Sequence, residues 1–478
     1  MPLPTIPSGN VASATASTSF DIDYSCRFNG ADSAYMSKTP SSNGSQTIST
    51  FSAWIKKAIN GSYEGVFTSV YETGEYFEIN FEPSDKLEIR SKYSSSYVLS
   101  KQTTRVFRDP AAWYHICVIL DTTDGTAEDR CKVFINGVRE TSFSTNTNPG
   151  SSQNLGLNAT SYEHRVGRDE WSTPAYFDGY MAEVHWIDGT AKAVTDFGEF
   201  DSTSPSIWKP KAYTGGGYGT NGFYLDFADS GNLGDDESGN TLDLAESNIV
   251  AADQMIDTPT NNFPTFNPIV TAGASDGSVY TMGYKEGNLQ GATQGAQGPL
   301  TQIIPNQGKW FCELHFNHAT ADSDPGTIIA TLTSLQNYHW YQSGHIGIVF
   351  KWHGDIYENG SDSGTNSDAY TTGDIISLAI NRDDNQITLY KNGSVMTNAN
   401  ARSFSNLGNY DDFVIAYQDG ANSSTYDTLC DLNAGQNGTF NGRKTAGGNA
   451  DGNGYGNFSM AVPTGYYSLC SKNIAEFG

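Results

Sequence analysis

One short hairpin phrase is written twice in this chain, as RCKVFINGVRE at 130–140 and as ITLYKNGSV at 387–395. In the first copy Val133 and Ile135 alternate with Lys132 and Phe134, the period-two pattern of a half-buried strand. Asn136-Gly137 then supplies two residues that tolerate positive φ, which is what a type I′ turn between paired strands demands. In the second copy Ile387 and Leu389 face one way, Thr388 and Tyr390 the other, and Asn392-Gly393 turns the chain. An alternating stretch precedes each copy, WYHICVILD at 113–121 and GDIISLAINRD at 373–383. Each half of the chain therefore carries one meander of strand, polar turn, strand and Asn-Gly.

A length of 478 residues suggests two to four domains. Abundant Gly (50), Tyr (27) and Phe (24), with only 17% charged residues, favour an all-β chain with frequent turns. No stretch of 12 residues keeps a helical period, although 191–197 is compatible with a single turn. Residues 1–19 are rich in Pro, Ser, Thr and Ala and lack any period, so they read as an extended arm. Short strands separated by turns recur over 20–200. The stretch 201–265 is rich in Gly and Asp but carries aromatics, so it reads as an ordered connector that packs on a neighbour. Strands resume over 266–478 and a last strand is expected in PTGYYSLCSKNI, while the Gly- and Asn-rich stretch 439–465 reads as surface loop.

The formal net charge of −26 argues against nucleic acid, because counterion release rewards a basic surface, and it disfavours anionic membranes. The opening MPLPTIPSGNVASATASTS has neither a basic n-region nor an apolar core, so no signal peptide is expected. No apolar run approaches the roughly 20 residues of a membrane span. Cys26, Cys117, Cys131, Cys312, Cys430 and Cys470 are widely spread and lie mostly in apolar strands, which predicts buried free thiols. Cys117 and Cys131 are the one pair placed to lie on neighbouring strands.

The first half resembles the laminin-G-like jelly rolls of the concanavalin A-like superfamily. The resemblance rests on FSAWI at 51–55, WYH at 113–115, VFING at 133–137, HRVGR at 164–168 and FDGYMAEV at 177–184, in that order. The family's acidic pair near Glu183 is here Ala182-Glu183, so its metal site is not carried over. The second half resembles SPRY domains, through GKWFCE at 308–313, GHIG at 344–347, YENG at 357–360, TGDII at 372–376, LYKNG at 389–393 and LNAGQ at 432–436. Together the two halves, with FYLDFADSGNLGDDESGN and DQMIDTPTNNFPTFNP between them, resemble tail-fibre or appendage proteins of marine bacteriophages. That resemblance implies a virion structural protein, assembled in the host cytoplasm, that presents its sandwiches to a host surface. Recognition of host-surface polysaccharide without enzymatic activity is expected, with a purely structural capsid or tail decoration role as the alternative and a depolymerase as a third. Residues 1–19 would dock it to other virion proteins, by adding a strand to an exposed sheet edge. A homo-oligomer is implied, with the trimer of fibre proteins as the candidate state, although no heptads or β-helix repeats point to it.

Retaining glycosidases need two carboxylates about 5 to 5.5 Å apart, and the nearest candidates here, Glu78 and Glu82, lie roughly 13 Å apart along one strand. A solvent-facing position is expected for them. No G-x-S-x-G elbow, H-E-x-x-H pair or P-loop occurs. His315 and His318, three apart on a strand, face opposite sides, so no zinc site is expected. Sugars stack on exposed aromatics flanked by amides and carboxylates. The candidates of that kind are Arg168, Asp169, Trp171 and Tyr176 in the first half, with Tyr338, Trp340, Tyr410 and Asp412 in the second. Trp54, Trp113 and Trp310 read as core. No cofactor is expected. Calcium has two candidate loops, Asp235-Asp236-Glu237 and Asp169-Glu170, for which a solvated acidic loop is the simpler reading.

Overall fold

The computed structural model describes residues 20–71, 74–169, 174–270, 272–273, 279–280, 283–293, 297–318, 324–418 and 428–478. The expected docking arm, 1–19, lies outside the described residues, as do Glu170 and Trp171. The chain is all-β and divides into two compact units, one ending at Thr260 and the other spanning Asn261–Gly478. Among the described residues no helix is long and apolar enough to cross a membrane.

In the first unit two antiparallel sheets form a sandwich. Across the first sheet run Val138–Arg139, Cys131–Ile135, Tyr114–Asp121, Ile48–Lys57, Gly179–Asp188, Ser25–Phe28 and Gln254–Met255, with Phe223–Leu225 also paired to Gly179–Asp188. The second runs Phe143–Thr147, Ser96–Val106, Lys86–Tyr93, Glu75–Phe81, Glu64–Tyr71, Glu163–Val166, Tyr35–Lys38 and Ala245–Ser247. Alternate residues of both sheets meet between them: Phe67 of the second sheet stacks on Trp186 of the first at 4.5 Å, with Phe51 and Phe77 beside them. The expected turn forms between Ile135 and Val138, with φ of 47° at Asn136 and 75° at Gly137.

The expected connector is part of this unit. Phe223–Leu225, Ala245–Ser247 and Gln254–Met255 add strands to its sheets, and Phe223, Leu225, Leu233, Leu244 and Ile249 are buried in its core. The two units divide at Thr260, so residues 201–260 of the expected connector belong with the first. Gly and Asp richness here marks turns between strands of two or three residues. Asp236, one of the calcium candidates, accepts the N–H groups of Tyr224, Ser238 and Leu242 and the Ser238 hydroxyl, which is turn-forming work.

In the second unit a nine-stranded sheet runs Gly283–Lys285, Gln290–Thr293, Thr428–Asn433, Lys309–His318, Ile375–Asn381, Gln386–Lys391 and Ser394–Val395, with Arg402–Ser403 and Tyr467–Ser468 beside it. A six-stranded sheet runs Gln297–Pro299, Phe413–Gln418, Gly326–Thr331, Gly347–Lys351, Asp355–Glu358 and Ser361–Asn366. The second Asn-Gly turn forms too, with φ of 49° at Asn392 and 82° at Gly393. The closing segment is a two-residue strand, Tyr467–Ser468, followed by a helix, Ser471–Phe477. The stretch 439–465 is not simply surface loop, because Phe440 and Phe458 are fully buried. Glu313 anchors it, its carboxylate accepting the Ser459 N–H and hydroxyl and the Asn433 amide. All six cysteines are free and buried.

Candidate functional site

The sequence-derived candidates divide between packed and open positions. The Arg168 guanidinium lies 4.9 Å from the Tyr35 ring centre and 5.7 Å from that of Tyr176, so Arg168 and Tyr176 are held in a cation–π stack. Asp169 is fully buried and accepts the Ala175 N–H. Arg168 and Asp169 cross the outer face of the second sheet so closely that a Cβ at Gly65 would meet the Asp169 nitrogen at 2.1 Å. Glu78 shares that face. It is fully buried and paired with Arg90, which corrects its expected solvent position.

In the second unit Trp340 is core and not a platform. It packs with Ile328, Leu335 and Val349, meets the Tyr357 ring at 4.4 Å and takes the Lys351 ammonium at 4.3 Å over its own ring. Its neighbours point outward: Tyr338 is 37% exposed, Tyr341 46%. Tyr410 is 39% exposed, and Asp412 accepts the Thr333 hydroxyl beside the start of the short helix Leu332–Asn337. Among the described residues no ring contact joins Tyr338 to Tyr410.

A site that sequence reasoning missed lies in the first unit, on the outer face of its first sheet. A β-bulge builds its floor. Along Gly179–Asp188 the register with Ile48–Lys57 steps from Ala182↔Trp54 to His185↔Ser52, so one extra residue is inserted. Glu183 absorbs it with φ of 49°, a strained conformation for a residue with a Cβ. The bulge places Glu183 and His185 beside Trp54, Ser52 and His115. His185 stacks on Tyr224 at 4.4 Å with their planes 5° apart, and its Nδ1 lies 2.9 Å from the Tyr218 hydroxyl. The Tyr224 hydroxyl donates to the Glu183 carboxylate, at 2.9 and 3.0 Å from its two oxygens.

Above this floor the 212–237 stretch shapes a cleft of about 520 Å³, walled by Phe20, Tyr213, Thr214, Tyr218, Tyr224 and Glu237. Tyr213 stacks on Phe197 at 5.1 Å and meets Tyr218 at 5.1 Å. Burial pushes the Tyr213 phenol up to about 12, with the Asp196 charge adding to it, and burial also raises Tyr218 and Tyr224. All three are neutral hydroxyls at physiological pH. Glu237 is exposed, and its carboxylate has no hydrogen-bond or ion-pair partner among the described residues. Its pKa is raised by the charge of Asp226 first, then by burial and by Asp235 and Asp236. The cleft thus offers aromatic surface and one unengaged carboxylate. The signal in the sequence was the tyrosine spacing in AYTGGGYGTNGFY, which lacks a period and so gave no face.

Among the described residues no group of three or more His, Cys, Asp or Glu is gathered as for a metal ion. Residues 29–193 match the concanavalin A-like lectin/glucanases superfamily, in its laminin G type. The chain thus contains a concanavalin A-like domain. No curated protein matches. Similar solved structures include domains LG4-5 of the mouse laminin α1 chain, 8% identical over 87% of this chain and 90% of that one, with a TM-score of 0.31. The SPRY domain of human HERC1 is 11% identical over 35% of this chain and 96% of that one, with a TM-score of 0.28. A carbohydrate-binding protein from Bacteroides ovatus, so described provisionally, is 14% identical over 48% of this chain and 60% of that one, with a TM-score of 0.32.

Proposed function

We propose that this chain is a non-enzymatic carbohydrate-binding protein that serves in a bacteriophage virion appendage and recognises host-surface polysaccharide. The observation that carries the binding reading is the aromatic cleft over the bulged strand. Tyr213 and Tyr224 give aromatic surface for sugar rings, and Glu237 with the exposed Thr214 gives the polar edge. The superfamily match over the same unit supports a carbohydrate-binding fold. The non-enzymatic reading is supported by the carboxylates near the cleft. The Glu183 carboxylate on the cleft floor is engaged by the Tyr224 hydroxyl and is not free to pair with Glu237. The virion role rests on the sequence resemblance set out above, with residues 1–19 as the docking segment.

A glycan array probed with the full chain tests the binding reading. Retention on bacterial surface polysaccharides is expected, weakened about tenfold or more by Tyr213→Ala, the equivalent of at least one lost stacking contact. If no glycan retains the wild-type chain, a purely structural decoration role replaces this reading. Antibody-labelled electron microscopy of purified phage particles tests the virion role, which fails if the chain is missing from them. Release of reducing ends from a retained polysaccharide would instead make the protein a depolymerase.

A further inference from the structure

The cleft has a charge preference written into its walls. Its one unengaged ionisable group is the Glu237 carboxylate, and Asp226, Asp235 and Asp236 lie close enough to act on it. Two lysines lie nearby without being among the lining residues: the Lys192 ammonium donates to the Gly215 carbonyl at 2.5 Å, and that of Lys211 to the Thr195 carbonyl at 3.3 Å. No Lys, Arg or His is among the residues that line the cleft. An acidic sugar brought here would meet the Glu237 charge at the lining itself, whereas a cation would find both a carboxylate and tyrosine rings, whose faces attract positive charge. Neutral sugar rings would use the aromatic walls alone.

On the reading that this cleft binds carbohydrate, we infer that its preferred ligand is a basic saccharide. It would carry an unacetylated hexosamine unit, with the protonated amine at Glu237 and the sugar's apolar face against Tyr213 and Tyr224. The ammonium forms a charge-assisted pair with Glu237 that an N-acetyl group cannot make. The same geometry penalises uronic acids, by like-charge repulsion from Glu237 and from the acidic loop behind it.

The test uses the full chain and three short oligosaccharides of equal length: β-1,4-linked glucosamine, its fully N-acetylated counterpart, and a polyuronate. Binding is measured by titration calorimetry at low and at physiological salt. The glucosamine oligomer is expected to bind about tenfold more tightly than the N-acetylated one, a preference that shrinks as salt screens it. Glu237→Gln is expected to abolish the preference while sparing binding of the N-acetylated oligomer. Glu128→Gln removes an equal charge from an exposed position away from the cleft and is expected to change nothing. Equal losses from Glu237→Gln and Glu128→Gln would reduce the preference to attraction by the net charge of the whole chain, overturning the inference. So would tighter binding of the N-acetylated or uronate oligomer. If either of those is retained and lost in Tyr213→Ala, the carbohydrate reading stands and only the basic-sugar inference fails. If none of the three binds and a glycan array is also blank, the reading beneath it fails too.

Discussion

Asn136 holds His115 by two bonds: its N–H donates to the His115 carbonyl at 2.9 Å, and its side-chain oxygen accepts the His115 N–H at 2.7 Å. The second unit repeats the arrangement, with Asn392 and Ile375 exchanging both bonds at 2.9 Å. The repeated phrase is therefore more than a turn. In each unit its asparagine adopts a left-handed φ and ties the hairpin to the strand before it. Asn136→Ala loses one side-chain hydrogen bond and Asn392→Ala two, since the Asn392 amide also donates to the Asp374 carboxylate at 2.6 Å. Each also gains backbone strain, so each should cost about 1–3 kcal/mol. Urea unfolding of the full chain, followed by a probe local to each unit, should show Asn136→Ala shifting only the first unit and Asn392→Ala only the second.

The tail of the expected connector is tied to the first sandwich by a buried ion pair. The Lys56 ammonium and the Asp257 carboxylate lie 2.7 Å apart, both fully buried, and the Trp113 indole N–H donates to the other Asp257 oxygen at 3.2 Å. Asp257→Ala strands a buried ammonium and should cost about 3–5 kcal/mol, the range for breaking such a pair on one side. By the same reasoning a fragment ending at residue 200 lacks Asp257 and the core residues Phe223, Leu225 and Leu244. Limited proteolysis should digest that fragment rapidly and leave a fragment ending at residue 260 resistant.

The strands and both hairpins were legible because alternation and Asn-Gly are local signals. Trp113 at 1% exposure and Trp310 at 0% sit in the core as their strand phase required. Trp340 was misread because YHWY is dense in aromatics but follows a short helix, where no period says which ring turns inward. The cleft was illegible for a different reason. Tyr213, Tyr218 and Tyr224 become neighbours only because Phe223–Leu225 pairs with the bulged strand Gly179–Asp188, a contact some 40 residues away in sequence. Nothing in a Gly-rich stretch announces such a pairing.

His164 gives the first unit an acid sensitivity with a definite sign. Its ring is fully buried beside Phe67 and Trp186, and its Nε2 has no partner. Burial lowers its pKa from 6.5 to about 3. The folded state thus binds this proton less readily than the unfolded one. The stability it contributes is present above pH 6.5 and is lost as pH falls toward the folded value. The difference in unfolding free energy between the wild type and His164→Leu isolates this one group. It should move against the wild type by about 1.4 kcal/mol for each pH unit below 6.5. A difference that stays flat from pH 7 to 4.5 would show that His164 titrates normally.

The two hairpin glycines make opposite demands on space. Gly137 and Gly393 have φ of 75° and 82°, so an alanine at either costs about 1–2 kcal/mol in backbone strain. At Gly393 the added methyl finds room, its nearest neighbour being the Met460 Cβ at 3.8 Å. At Gly137 it would lie 2.1 Å from the Trp208 ring, which is itself packed between His115 at 5.7 Å and Phe200 at 5.0 Å. Trp208 cannot retreat without disturbing both, so Gly137→Ala should cost about 1–3 kcal/mol more than Gly393→Ala. A double-mutant cycle separates the two contributions. In a Trp208→Ala background the clash is gone, and Gly137→Ala should then cost no more than Gly393→Ala does in the wild type. An unchanged penalty in that background would assign the whole cost to the backbone.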